Sequence, residues 1–184
     1  MTDLSRFIRD VPDFPRKGIT FKDITPLLSD PAALAESIRR LAERVEKPDA
    51  VVAIESRGFV FGTGLALHWG VPLVPARKFG KLPGKTVREV YSLEYGEDTL
   101  ELHADALKPG QRVVVVDDLL ATGGTAAATA RLVEQLEARV LGFLFLIELT
   151  GLGGRQALGA HPAEALLAYE VVGEGPRGAS AAGR

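Results

Sequence analysis

Four consecutive valines followed by two aspartates, in the segment RVVVVDD at 112–118, constrain this chain more than any other stretch. β-Branched residues with no polar alternation predict a strand buried on both faces. Such strands occur in parallel sheets covered by helices on either side. After the acids, Leu119-Leu120-Ala121-Thr122-Gly123-Gly124-Thr125 leads into an alanine-rich helix running to about residue 138. The rest of the chain repeats this order. Asp30-Pro31 opens a helix with a capping carboxylate and a proline in the first turn. Leu34, Ile38, Leu41, Ala42 and Val45 follow at helical spacing, and Pro48 ends it. Residues 50–54 (AVVAI) predict a buried strand, 55–59 a turn, and a helix then extends to about Trp69, with Gly70 as its C-terminal cap. Residues 71–76 predict a short strand whose Pro72 and Pro75 suit an edge or irregular position. A hairpin of 90–95 and 99–103 turns at Gly96-Glu97, and strands at 140–149 and 166–172 complete the pattern. Helices alternating with buried strands specify an α/β domain, doubly wound, with a mostly parallel central sheet and flanking helices.

The length of 184 residues suits one such domain, spanning 1–172, with 173–184 (GEGPRGASAAGR) a disordered tail. There is no cysteine, so disulfides, Cys-based metal sites and a thiol nucleophile are all excluded. His68, His103 and His161 lack metal-ligand spacing; His68, His103 and Trp69 read as structural or surface residues. A net charge of -2 argues against a nucleic-acid partner. The apolar run at 140–149 is too short for a membrane span, and the N-terminus lacks the apolar core of a signal peptide, so the expected location is cytoplasmic.

The segment 121–125 sits where open parallel sheets bind ligands, beyond a strand's carboxyl end and at a helix N-terminus. Gly123 and Gly124 permit close backbone approach, and Thr122 and Thr125 add hydroxyl donors. The loop is neither a Walker A nor a GxGxxG motif. Paired acids beside a phosphate cradle make sense when the ligand also presents hydroxyls or a cation, and a ribose 5-phosphate does so. A second turn, Glu55-Ser56-Arg57-Gly58, lies at another strand's carboxyl end and offers amide donors and a guanidinium to a pyrophosphate. Residues 77–90 begin with RKFGKLPGKTVRE and read as a mobile basic loop.

At this point the chain resembles the type I phosphoribosyltransferases. The segment 113–125 (VVVVDDLLATGGT) is similar to that family's phosphoribosyl-pyrophosphate signature. Further similar segments are Phe14-Pro15 with 18–28 (GITFKDITPLL), 55–59 (ESRGF), Arg77-Lys78 with 80–84 (GKLPG), and 91–96 (YSLEYG), so the likeness runs from about residue 7 to 169. The resemblance implies transfer of a phosphoribosyl group to a purine, adenine foremost, with AMP and pyrophosphate as products in purine salvage. It implies Mg²⁺ carried mainly by the substrate, a homodimer, and an N-terminal hood at about 1–30. Asp117, Asp118, Ala121, Thr122, Gly123, Gly124 and Thr125 would hold ribose and phosphate. Glu55, Ser56, Arg57, Arg77, Lys78 and Lys81 would hold pyrophosphate, with a cis Glu55–Ser56 peptide. Thr20, Phe21, Lys22 and Leu119 would hold the base, with backbone carbonyls near 20 and 22 accepting from adenine's amine. Glu94 would manage the proton on the attacking base nitrogen, beside Arg57, Asp117 and Asp118 as catalytic residues. Lys22 and Lys17 stand where the family often has Arg and Pro. Two other readings stay open: a transferase for hypoxanthine, guanine or xanthine, and a non-catalytic regulator that binds phosphoribosyl pyrophosphate.

Overall fold

The computed structural model describes residues 2–92 and 96–171. Among these a seven-stranded sheet runs in the order β5-β6-β4-β3-β7-β8-β9. Strands β3 (Ala50–Ile54), β4 (Leu73–Lys78), β7 (Arg112–Leu120), β8 (Arg139–Thr150) and β9 (Ala163–Glu170) are parallel. The β5–β6 hairpin (Thr86–Ser92, Glu97–His103) is antiparallel and joins the outer end of β4.

The valine run behaves as its composition requires. Val113 and Val115 enter one core with the α4 helix (Gly124–Gln135) residues Ala128, Leu132 and Val133. Val114 and Val116 enter the other, with Leu41 of α2 (Pro31–Ala42) and Phe61 and Leu65 of α3 (Gly58–Trp69). Asp30 caps α2 by accepting from the Ala33 amide at 2.8 Å, and Gly70 closes α3 at φ 64°. A short N-terminal unit covers one end: a 3₁₀ turn (Leu4–Phe7), the β1–β2 ribbon (Arg9–Val11, Phe21–Asp23) and α1 (Thr25–Ser29).

Several boundaries differ from expectation. β4 is not an edge strand. It pairs with β3 along residues 73–76, but with β6 only at Arg77 and Lys78. Pro75, whose nitrogen has no hydrogen to give, lies in the stretch where β6 is not yet paired. The hairpin also extends further back than its turn signals suggest. Arg77 and Lys78 end β4 and β5 begins at Thr86, so the connecting loop covers 79–85 rather than 77–90. β7 continues through Leu119 and Leu120, and β9 occupies 163–170 rather than 166–172.

The polypeptide leaves β3 toward β4 on one side and β7 toward β8 on the other. β3 and β7 are adjacent and parallel, Ala50 opposite Val113 through Ala53 opposite Val116. The loops after them therefore diverge above their carboxyl ends, the switch point at which doubly wound sheets bind ligands.

Candidate active site

Both predicted loops meet at that switch point. Around them lies a cavity of about 500 Å³, lined by Glu55, Ser56, Arg57, Lys78, Asp117, Asp118, Leu119 and Thr125, together with Tyr91, Asp98 and Leu100. The first bond of the earlier loop, Glu55–Ser56, is cis as expected. Gly58 begins α3 hard against β7. A Cβ there would lie 2.8 Å from the Val116 carbonyl oxygen and 2.9 Å from Asp117 Oδ1. Only glycine lets the two loops approach this closely.

A second hollow of about 90 Å³ opens beside the first, formed by residues 119–126 with Asp117. Gly123, at φ 81°, precedes α4, and no side chain caps this helix. Thus neither Asp118 nor Thr122 is spent as a cap, and the first-turn residues Gly124, Thr125 and Ala126, whose amides have no partner within the helix, line a space of phosphate size. Asp117, Leu119 and Thr125 line both hollows and join them into one groove.

Electrostatically the groove carries four acids, Glu55, Asp98 and the adjacent Asp117 and Asp118, and two cations, Arg57 and Lys78. Arg57 Nε sits 2.9 Å from Asp118 Oδ2. Asp117 Oδ1 accepts from the Asp118 amide at 2.9 Å. Burial, then the charge of Asp118, pushes the Asp117 carboxyl well above the usual aspartate range. Burial also raises Asp118, while Arg57 pulls it back. The Arg57 guanidinium lies 5.1 Å over the ring of Phe21. Phe21 meets Phe14 edge-on at 5.3 Å, and together with Val11 and Asp23 they line a separate cleft of about 250 Å³.

The remaining predicted residues are placed as follows. Glu55 accepts from Arg77 at 3.1 and 3.3 Å and from the Lys78 amide at 3.0 Å, and Arg77 chiefly holds its carboxyl below the ordinary range. Lys78 Nζ lies 3.1 Å from Asp98 Oδ2, and the Asp98 carboxylate raises the lysine. Lys81 is exposed on the loop, and Thr20 is exposed just before β2. Lys22 turns its ammonium to Asp10, 2.7 Å away, and over the Tyr169 ring. Its side chain is therefore committed to Asp10 of the hood and Tyr169 of β9, neither of which lines the groove. Leu119 walls the groove and is not part of the Phe14–Phe21 cleft. Glu94 lies outside the described residues.

Tyr91, Asp98 and Leu100 were not singled out from sequence. Tyr91 Oη donates to Asp98 Oδ2 at 3.3 Å. Period-two alternation carries the signal: Asp98 shares a strand face with the buried Leu100 and Leu102.

A model of the phosphoribosyl transferase domain matches residues 20–161. The adenine phosphoribosyltransferase of Natranaerobius thermophilus is 54% identical over 168 residues, covering 90% of this chain and 98% of the relative. The chain belongs to the adenine phosphoribosyltransferases. Among solved members, the enzyme of Thermoanaerobacter pseudethanolicus superposes with a TM-score of 0.88 at 52% identity, covering 90% of this chain and 98% of that one. The Saccharomyces cerevisiae enzyme, solved with an imino-altritol bisphosphate and adenine, superposes with a TM-score of 0.83 at 44% identity, covering 89% and 96%. The groove thus belongs to a fold that its adenine phosphoribosyltransferase relatives share along nearly their whole length.

Proposed function

We propose that this chain catalyses adenine plus phosphoribosyl pyrophosphate giving AMP plus pyrophosphate, in purine salvage in the cytoplasm. The observation that carries the reading is a set of neighbouring compartments linked by shared residues. A phosphate-sized hollow opens beside two acids, and Arg57 spans from Asp118 to the aromatic cleft. Residues 121–125 hold the 5-phosphate through backbone amides. Asp117 and Asp118 accept from the ribose hydroxyls. Ser56, Arg57, Lys78 and Lys81 face the pyrophosphate; Lys78 reaches it by leaving Asp98, and Arg77 by leaving Glu55. Adenine lies against Phe21 and Leu119, its amine donating to backbone carbonyls near Thr20 and Lys22.

As the glycosidic bond to pyrophosphate breaks, positive charge grows on the ribose and negative charge on the departing phosphates. The paired acids stabilise the first and the cations the second. The attacking nitrogen of adenine gives up its proton to Glu94. The groove's carboxylates suit a divalent cation carried by the substrate rather than one held by the protein: Asp117 and Asp118 are adjacent with Arg57 against Asp118, and among the described residues no group of three or more His, Cys, Asp or Glu could hold a metal ion by itself. Mg²⁺ would be held mainly by the substrate's own pyrophosphate oxygens and would supply charge neutralisation there, with Asp117 and Asp118 the carboxylates available to assist it.

A second copy completes the molecule. α3 is apolar nearly all round, and Leu67 (78% exposed) and Val60 (38% exposed) stand on one side of it, with Leu73 (38%) beyond its end. Such a stripe supports a homodimer.

Conversion of labelled adenine to AMP with and without Mg²⁺, beside hypoxanthine and guanine, tests the assignment; no turnover on adenine would defeat it. Glu94→Gln is expected to lower kcat strongly while leaving KM for phosphoribosyl pyrophosphate nearly unchanged. An unaltered kcat would remove Glu94 from the chemistry.

A further inference from the structure

Glu101 lies on β6 outside the groove, yet its side chain is only 2% exposed. Its carboxylate is fully used. Oε2 accepts from the Gly80 amide at 2.9 Å, and Oε1 accepts from Thr86 Oγ1 at 3.0 Å and Arg88 Nε at 2.7 Å. Gly80 is the second residue of the basic loop after β4 and Thr86 begins β5 just past the loop's far end, so one carboxylate grips both ends of the segment that carries Lys81. Neighbouring contacts brace the same grip. The Phe79 amide donates to the Thr99 carbonyl at 2.9 Å, Arg88 stacks 4.7 Å over the Phe79 ring, and Arg77 reaches the Lys81 carbonyl at 3.3 Å. Burial alone would raise this carboxyl, but the three donors outweigh it and keep the group ionised.

We propose that Glu101 is a positioning residue for the pyrophosphate half of the reaction: a buried clip that fixes the two ends of loop 79–85 so that Lys78 and Lys81 are presented to the groove. The inference rests on the proposed placement of pyrophosphate beside those lysines. A loop free at both ends would spend binding free energy on being ordered with each substrate. A loop held at both ends moves only its middle.

The test compares the wild-type enzyme with Glu101→Gln and Thr86→Val, each with three readouts. These are kcat and KM for phosphoribosyl pyrophosphate, affinity for AMP, which has no pyrophosphate, and the rate of tryptic cleavage after Lys81 and Lys85 without substrate. Glu101→Gln should lower kcat/KM for phosphoribosyl pyrophosphate by about tenfold or more, the size of a lost hydrogen-bond set to a charged group. Cleavage in the loop should quicken by a similar factor, with AMP affinity within about twofold of wild type. Thr86→Val removes one donor and leaves the charge, so it carries the test should the first variant fail to fold; its expected loss is about threefold. Unchanged kcat/KM, or an equal fall in AMP affinity, would overturn the clip. A wild-type enzyme inert toward adenine would instead count against the assigned activity, which the proteolysis readout does not depend on.

Discussion

Asp117 shows how a single residue trades stability for binding. Its carboxyl is raised by burial and by Asp118, so ionising it penalises the folded state. For an acid raised on folding, the penalty is absent below the ordinary aspartate pKa and fully present above the raised one. Asp117→Asn keeps the Oδ1 acceptor for the Asp118 amide and removes the charge. The variant should melt higher than wild type at neutral pH, the gain fading as pH falls toward about 4, while AMP binds more weakly. Thermal melts across pH with AMP titration calorimetry check both; an unchanged affinity would take Asp117 off the ribose. Arg57 has a different place, between Asp118 and Phe21. Arg57→Ala should reduce kcat/KM by about 2–4 kcal/mol of transition-state stabilisation, the size of a lost oxyanion donor. A rate constant matching wild type would contradict the role. At this scale the sequence was informative where a residue's type is rare in its setting, as with paired acids after a valine run. It was silent about Glu101. Opposite in parity to Leu100 and Leu102, that residue reads as solvent-facing, and only the loop folding back over β6 buries it.

Elements are separated by how closely their backbones approach. Gly18 and Gly123 have nearly equal φ, 87° and 81°. A Cβ at Gly18 meets nothing within 4 Å, whereas one at Gly123 would lie 2.5 Å from the Gly154 carbonyl oxygen and 2.9 Å from Ala157 Cβ. Gly18→Ala should therefore show only left-handed backbone strain, about 1–2 kcal/mol. Gly123→Ala should lose clearly more stability and also AMP affinity, because the phosphate loop must shift off the turn around Gly154. Paired chemical denaturation with AMP binding checks this, and equal losses would show that the packing between these turns does not hold the loop. Helix boundaries were legible, since Asp30, Pro31 and Gly70 act within a few residues of themselves. Strand neighbours were less so. Pro72, just before β4, and Pro75 within it suggested an edge or irregular position, but β6 pairs only at Arg77 and Lys78, past both prolines.

For the whole molecule, the proposed homodimer would cover the exposed Leu67 and Val60 of α3. Leu67→Glu should convert a dimer to monomers, read by light scattering at micromolar concentration, and a wild-type chain that is monomeric there would remove the stripe's meaning. The order of buried strands and helices, the glycine-rich turn and the acids at a strand's carboxyl end were settled by the residue string, because each depends on side-chain type and short spacing. Which loops share a groove was decided by tertiary structure alone. Residues 55–58, 91, 98 and 117–125 meet because β3 lies beside β7 and the hairpin folds alongside β4. Sheet order arises from long-range packing, and no local preference encodes it.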